Sequence, residues 1–387
     1  LLGRWNHSIN GQSSTSLQIY YDHTERDEIY LTQKNDTLDI DFQHNLAIGA
    51  KHELIWGLGY RHIDDEFDNT FNVSVIPDGR SLELYNAFIQ DQIELAPETF
   101  FLTLGSKLEH NDYTGYEIQP SIRGLWKPDE KSSFWGSVSR AVRTPSRVED
   151  DVRLVTTSGV IITGDPFFPI LPTTVSVYGN DDFASETLLA YELGYRIQPL
   201  ENLSLDLTAF YNDYEKLRTY ELIDATTISF DNKLSGHATG LELAVDWRPA
   251  FWWRIQASYT NINLTLDLDS ASDDINETVN VGEDSSPEHQ WSLRSSMDLS
   301  KAWELDLWVY YVDEVPTASV IAAIDSISID SDTSLNARLG WRPRQDLELS
   351  LVGQNLQGDE HSEFVSEYFS ILTEVERSVY AKIHWDF

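Results

Sequence analysis

Apolar and polar residues alternate with a period of two along almost the whole chain, and this feature constrains the fold most. In segment 203–211 one face carries Leu203, Leu205, Leu207, Ala209 and Tyr211, and segments 241–248 and 303–311 repeat the pattern. A period of two is that of a β-strand with one apolar and one polar face. We count about seventeen such segments, many of about 10 residues. Strands of soluble proteins average about 5–6 residues, whereas strands that cross a membrane need about 9–11.

The connections between these segments alternate between short and long. Short ones lie at residues 10–11, 49–50, 96–98, 127–129, 199–201, 249–250, 300–301 and 343–344. A long, polar, mostly acidic connection separates each neighbouring pair, as at 64–80, 144–183, 219–232, 267–286, 316–332 and 361–373. A membrane-spanning barrel has short periplasmic turns and long extracellular loops, whereas a soluble sandwich or propeller has no reason for this alternation. The sequence therefore predicts an all-β, antiparallel transmembrane barrel.

Composition excludes several other classes of protein. The 387 residues include no cysteine, which removes zinc fingers, disulfide frameworks and thiol nucleophiles. The formal net charge is −37, from 64 Asp and Glu against 27 Lys and Arg, so nucleic acid should be repelled. No run of 18 apolar residues is present, so no transmembrane helix is expected.

A short motif recurs where strands meet short turns: Trp126-Lys127-Pro128, Trp247-Arg248-Pro249 and Trp341-Arg342-Pro343. Tryptophan favours the membrane–water interface, and a neighbouring cation can extend toward head groups. We therefore predict Trp126, Trp247 and Trp341 to be membrane-interface anchors. The alternative is three ordinary turn prolines beside core tryptophans.

The final segment, residues 377–387, is an amphipathic strand that ends in an aromatic residue. Val379, Ala381, Ile383, Trp385 and Phe387 share one face. Such an ending resembles the signal by which outer-membrane barrels are recognised by the barrel-assembly machinery. Trp385 and Phe387 are the residues that we expect to carry it.

Several stretches resemble the barrel of TonB-dependent outer-membrane receptors. They are FWGSVSRAVRTPSR at 134–147, ETLLAYELGY at 186–195, LSLDLTAFYNDYEKLRT at 203–219, SGHATGLELAVDW at 235–247, LVGQNL at 351–356 and the terminal strand. The stretch 180–185 lacks the prolines expected there, which leaves the subfamily open. The resemblance implies a barrel of about 22 strands around a plug. Residues 1–387 would then be a partial barrel domain, which lacks the N-terminal plug and an odd number of strands from the start of the barrel.

The resemblance also implies a function and partners. The protein would bind a scarce nutrient, such as a ferric siderophore or similar chelate, and import it with energy from the TonB complex, which acts through the plug region. It would lie in the outer membrane of a Gram-negative bacterium, among lipid and lipopolysaccharide. Neither enzymatic activity nor a cofactor is expected, and no catalytic motif is found. The alternatives are a passive or structural barrel without a plug and a soluble secreted β-protein. The ligand and oligomeric state stay open.

One basic cluster stands out in this acidic chain: Arg140, Arg143, Arg147 and Arg153. We predict that some of these line a ligand vestibule and attract an anionic chelate. The alternative is internal pairing with the carboxylates at 149–151, or contact with the plug. The apolar run 167–172 follows in the same connection and either touches a ligand or packs over the mouth.

Metal binding stays unknown from the sequence. His62, beside the acidic residues 64–66, is the best local cluster, and the acidic stretch 267–284 offers oxygen ligands for Ca²⁺ without matching an EF-hand. A solvated acidic loop is the alternative in both cases.

Overall fold

The computed structural model describes residues 1–162, 170–275, 278–316, 328–358, 360–363 and 373–386, with side chains except at 156–162 and 170–173. Within these ranges no helix is long and apolar enough to span a membrane. The structure is built almost entirely from β-strands, and all of the strands belong to one hydrogen-bonded sheet.

Seventeen strands follow one another as an antiparallel meander in which each strand pairs with the next one of the set. They are β1 (Leu2–Asn10), β2 (Ser13–Asp27), β3 (Thr32–Ile48), β4 (His52–Asp68), β6 (Gly79–Ala96), β7 (Phe100–Asn111), β8 (Gly115–Trp126), β9 (Ser132–Arg143), β12 (Glu186–Leu200), β13 (Leu203–Asp224), β14 (Thr227–Ala250), β15 (Trp253–Leu268), β16 (His289–Asp298), β17 (Trp303–Val312), β18 (Asp332–Arg344), β19 (Leu347–Gln354) and β20 (Ser378–Trp385). The count of about seventeen is confirmed.

Three further strands and two short helices lie in the connections. β5 (Val73–Val75) pairs with β10 (Val152–Ile162), which forms a hairpin with β11 (Ile170–Tyr178), and β11 runs parallel to the start of β14. The helices are α1 (Arg147–Asp151) and α2 (Thr278–Glu283). These additional elements therefore extend the sheet at one end of the meander.

The two faces of the sheet have opposite chemistry. On β12 and β13 the apolar face carries Leu193, which is 69 % exposed, and Leu207, which is 39 % exposed. The other face carries the cross-strand ion pair between Arg196 and Asp206. Leaving such apolar side chains in water costs about 1.5–3 kcal/mol each. The apolar face therefore needs a lipid environment, and the polar face lines the lumen.

Aromatic side chains border the apolar face on the short-turn side. Trp126 stacks on Phe134 at 5.3 Å between ring centroids, and Phe134 stacks on Tyr195 at 4.3 Å. Trp303 and Trp341 stack at 5.7 Å. These rings form one girdle of the kind that borders the lipid band of outer-membrane barrels.

The three predicted anchor tryptophans lie at this border. Trp126 ends β8, and Trp247 and Trp341 each lie three residues before the end of their strand at a short turn. Their side chains are 47, 39 and 40 % exposed. Their anchoring of the barrel in the membrane stays a prediction. At the end of the chain, Trp385 is exposed on β20, while Phe387 lies outside the described residues.

The eight short turns are confirmed, but three of the connections at the other end differ from the expectation. Residues 28–31, between β2 and β3, form a connection of only four residues. Residues 112–114 form a connection of only three residues between β7 and β8. Segment 219–232, expected to be a loop, is the tip of a hairpin in which β13 and β14 continue to a turn at 225–226. Long excursions at this end are thus partly built from strand, because β13 and β14 keep pairing beyond the apolar band.

Candidate functional site at the outer mouth

The connection between β9 and β12 folds into a short helix that is fixed by its own capping residues. Ser146 caps α1 by accepting the Val148 N–H, and the Glu149 carboxylate accepts the Ser146 N–H at 3.0 Å. This reciprocal arrangement is a capping box, and it satisfies donors that the start of a helix otherwise leaves free. Farther along, the Gly179 and Asn180 N–H groups donate to carbonyls of Val152 and Glu149. The first and last parts of the connection are therefore held together.

Glu149 is the central carboxylate of the site. Its side chain is only 4 % exposed and lies 3.1 Å from an Nη1 atom of both Arg143 and Arg218. Burial by itself raises the pKa of Glu149, but the hydrogen bonds from Ser146 and the two guanidinium groups outweigh burial and hold this pKa below its usual value. Glu149 is therefore ionised at neutral pH, and it ties α1 to strands β9 and β13.

Arg147 fixes the other side of α1. Its side chain is 9 % exposed, its Nε lies 3.0 Å from a carboxylate oxygen of Asp65, and its guanidinium group also pairs with Asp151. The same guanidinium group lies 5.5 Å from the ring centroid of Phe67. Because Asp65 and Phe67 belong to β4, these contacts hold α1 against that strand.

A second arginine reaches the helix from β6. Arg80 Nη1 contacts Asp150 at 2.5 Å and Asp151 at 3.0 Å, and its guanidinium group lies 5.0 Å from the ring centroid of Tyr113. Burial raises the pKa of Tyr113 well above its ordinary value, so its hydroxyl stays protonated. Strands β4, β6, β9 and β13 thus all contribute side chains that contact one five-residue helix.

The structure does not bring the four predicted arginines into one cluster. Arg143 and Arg147 belong to the network around α1. Arg140 faces the other side of β9, where it donates to the Ile118 carbonyl at 2.5 Å and lies 3.7 Å from Glu117. Arg153 is half-buried on β10. The pairing of Arg143 with Glu149 and of Arg147 with Asp151 is of the kind that the alternative describes. Contact of these arginines with a ligand stays a prediction.

Sequence reasoning missed Asp65 and three further members of the network. Glu186 holds Arg143 through two hydrogen bonds of 2.7 and 2.8 Å, while Arg218 and Arg80 reach α1 from 69 and 70 residues away. The pairing of Glu186 with Arg143 follows from strand register, which alternation alone does not fix. No local motif identifies Arg218 or Arg80, because only the closed fold brings them to α1.

A small apolar cluster supports the network from outside. Val152, Phe183 and Phe230 are buried together, and Leu154, Val177 and Tyr220 pack against them. This cluster joins the start of β10, the entry to β12 and the tip of the β13–β14 hairpin. The apolar run 167–172 contributes no described side chain, and its first three residues lie outside the described chain.

The candidate metal ligands do not form a site among the described residues. His62 Nε2 lies 3.0 Å from Asp64, and its other ring nitrogen lies 4.0 Å from Glu83. Within the described ranges no group of three or more His, Asp or Glu side chains is placed to hold a metal ion. This includes the described part of the acidic stretch 267–284.

Comparison with known proteins identifies the family. Residues 2–356 match the family model described as the TonB dependent receptor-like β-barrel. The chain belongs to this family. The resemblance found in the sequence and the predicted fold class are thereby confirmed.

Individual relatives of this receptor barrel cover part of its length. The iron-regulated outer membrane virulence protein of Vibrio cholerae is 31% identical over 209 residues, which are 53% of this chain and 28% of that protein. The ferric enterobactin receptor of Pseudomonas aeruginosa is 26% identical over 208 residues, 51% of this chain and 26% of that protein. The chain thus matches little more than a quarter of the length of these curated relatives.

Solved structures share the fold of this receptor barrel. A variant of the ferric enterobactin receptor of P. aeruginosa superposes with a TM-score of 0.75 at 17% identity, covering 100% of this chain and 62% of that one. The siderophore receptor PirA of Acinetobacter baumannii gives a TM-score of 0.74 at 13% identity, with coverage of 100% and 62%.

Proposed function

We propose that this chain is the barrel of an outer-membrane receptor that binds a ferric chelate outside a Gram-negative cell and imports it with energy from the TonB complex. The observation that carries the proposal is the family match over residues 2–356. Relatives at 31% and 26% identity bear names that refer to iron regulation and to ferric enterobactin.

The geometry of the chain supports a gated receptor more than an open pore. The outer connections fold onto one another through the ion pairs at α1 and the apolar cluster around Phe183. A connection fixed in this way presents a defined surface over the lumen, which a binding site requires and a passive pore does not. Neither role needs bond-making chemistry, so we propose no enzymatic activity.

We further propose that the complete receptor contains more strands and a plug. Strands β1 and β20 run in the same direction, and among the described residues no ladder joins them. A free strand edge inside a bilayer leaves backbone groups unsatisfied, which hydrocarbon does not tolerate. An odd number of additional antiparallel strands closes the sheet. The lumen then holds a plug that contacts TonB, and lipid, lipopolysaccharide and the barrel-assembly machinery are the remaining partners.

Uptake measurements test this function. A strain lacking the gene is grown under iron limitation and complemented with the complete gene, in backgrounds with and without a functional TonB complex. We expect iron-chelate uptake to depend on both the gene and the TonB complex. Uptake that needs the gene but not the TonB complex would indicate a passive pore. Uptake that needs neither would refute a role in iron import.

A further inference from the structure

Negative charge is concentrated in the connections at the outer end of the barrel. The outer connections between the seventeen meander strands contain 26 Asp and Glu against 3 Lys and Arg. The short turns at the other end contain 5 against 4. The net charge of −37 is therefore not spread evenly, because the outer connections alone carry −23 and the short turns −1.

Four of the arginines at the mouth do not offset this charge, because carboxylates already surround them. Four guanidinium groups meet five carboxylates around α1, so the cluster carries one net negative charge. The members are Arg80, Arg143, Arg147 and Arg218 with Asp65, Glu149, Asp150, Asp151 and Glu186. Farther out, Lys233 lies 3.2 Å from both Glu221 and Asp231. A ligand that arrives from outside therefore meets no patch of unpaired positive charge among these groups.

The segments that the structure does not describe add no cation either. The residues outside the described ranges contain no Lys, Arg or His, and their only charged residues are Asp165, Glu277, Asp325, Asp359 and Glu367. Every positively charged side chain of the sequence thus belongs to the described part. The excess of carboxylates at the outer end follows from the sequence as well as from the structure.

We propose that the outer mouth selects ferric chelates without net negative charge, and that it favours a cationic chelate over a trianionic one. The proposal rests on the proposed function and narrows its substrate class. A wall of one sign of charge raises the local concentration of oppositely charged solutes, and association rates change by about 10–10³-fold. Such an effect weakens with salt, because the screening length falls from about 30 Å at 0.01 M to about 8 Å at 0.15 M.

Three exposed carboxylates allow the source of the preference to be tested. Asp181 and Asp182 follow Asn180, whose N–H donates a hydrogen bond to the Glu149 carbonyl. Asp273 lies in the connection after β15. The variant carries Asp181→Asn, Asp182→Asn and Asp273→Asn. A matched control removes three exposed carboxylates from short turns through Glu98→Gln, Glu130→Gln and Glu201→Gln. Both variants change the net charge by the same amount, but at opposite ends of the barrel.

The experiment measures affinity for three defined probes. The receptor expressed from its complete gene is purified in detergent, and tryptophan quenching is titrated with a cationic ferric trihydroxamate, a neutral ferric trihydroxamate and a trianionic ferric tricatecholate. At low salt we expect the cationic chelate to bind at least about tenfold more tightly than the trianionic one. This preference should shrink at 0.5 M salt and fall by about threefold in the triple Asn variant, while the triple Gln control keeps it.

Two kinds of result overturn the proposal in distinguishable ways. If the tricatecholate binds as tightly as the cationic chelate, or if the preference responds neither to salt nor to the triple Asn variant, the charge preference is refuted while iron import stands. If no ferric chelate binds and the uptake measurement also finds no import, the proposed function itself fails. Heat-modified migration on gels shows that each variant has assembled, so that loss of folding is not mistaken for loss of preference.

Discussion

At the scale of single residues, glycines on the lumen face make room for aromatic rings. A Cβ atom added at Gly194 would overlap the Trp135 indole, and one added at Gly240 would overlap the Phe210 ring. Each ring therefore lies flat over the neighbouring strand instead of standing up into the lumen. All four of these residues fall within the stretches that resemble the receptor family, so the resemblance has a physical cause at those positions.

The substitution Gly194→Ala tests this arrangement. We expect it to push Trp135 off the wall and to break the contact in which the Arg123 guanidinium group lies 4.5 Å from the indole. Overpacking of this kind costs about 1–3 kcal/mol. The temperature at which the barrel loses its compact gel mobility should therefore fall. Gly124→Ala is the matched control, because the nearest atom to its added Cβ is 3.8 Å away. Equal behaviour of the two variants would contradict the explanation.

Removing the charge of Glu149 tests the anchoring of α1. Glu149→Gln keeps the size of the side chain but leaves Arg143 and Arg218 without this carboxylate, and loss of a hydrogen bond to a charged group costs about 1.5–3 kcal/mol. Hydrogen exchange and protease cleavage at residues 144–155 should become faster, while the strands of the barrel stay protected. Glu130→Gln, on an exposed short turn, should change neither. Unchanged exchange in Glu149→Gln would show that the ion pairs are not needed.

The same residue gives the connection a pH dependence with a defined sign. The folded-state pKa of Glu149 is lowered from 4.5, so its stabilising effect is present above that value and is lost as the pH falls through the lower folded-state pKa. Exchange at residues 144–155 should therefore be constant around neutral pH, after correction for intrinsic exchange, and should rise only in acid. Glu149→Gln should remove this component of the acid response.

At the scale of elements, the sequence predicts the strands that contact lipid, but it does not predict the structure of the outer connections. Strands β13 and β17 can be identified from the sequence, because one face of each must be apolar where it meets the membrane. The outer half of the β13–β14 hairpin carries no such constraint, so its alternation is lost and 219–232 resembles a loop. The parallel contact between Ser176 of β11 and Thr227 of β14 joins residues far apart in the chain. No local pattern encodes such a pairing.

The candidate site shows the same limit. The sequence shows four arginines close together in the chain, but it does not show that the fold separates them. The β8–β9 ladder ends at the pair Ser121 and Ser139, and Arg140 lies just beyond this point on the face opposite Arg143. Alternation assigns the two arginines to opposite faces, but it does not show where the ladder ends or which carboxylates fold over from α1. Those depend on packing between distant segments.

The aromatic girdle is an element-scale feature with its own test. Trp341 stacks on Trp303 across β17 and β18 and is 40 % exposed on the apolar face. Trp341→Ala should lower the temperature at which the barrel unfolds in lipid bilayers, by an amount equivalent to about 1–2 kcal/mol. Trp341→Phe keeps an aromatic ring and should recover most of this loss. If both variants unfold at the wild-type temperature, Trp341 does not anchor the barrel.

At the scale of the whole molecule, the antiparallel order of the strands allows only two orientations of the barrel in the membrane. In a meander of membrane-crossing strands all odd-numbered connections lie on one side and all even-numbered ones on the other. Fixing one connection therefore fixes all of them. The contrast of 26 carboxylates in the outer connections with 5 in the short turns marks the two sides chemically. Lipid contacts the apolar face between them, and the polar face encloses the lumen.

Cysteine labelling determines this orientation directly, because the 387 residues contain no cysteine of their own. Ala225→Cys places a thiol in the exposed turn of the β13–β14 hairpin, and Ala50→Cys places one in the exposed turn between β3 and β4. In intact cells a membrane-impermeant maleimide should label the first variant and not the second. After the outer membrane is permeabilised, both should react, which shows that both thiols are accessible. Labelling of Ala50→Cys in intact cells, with Ala225→Cys protected, would show that the barrel has the opposite orientation in the membrane. The acidic connections would then face the periplasm, where they could not select a ligand arriving from outside.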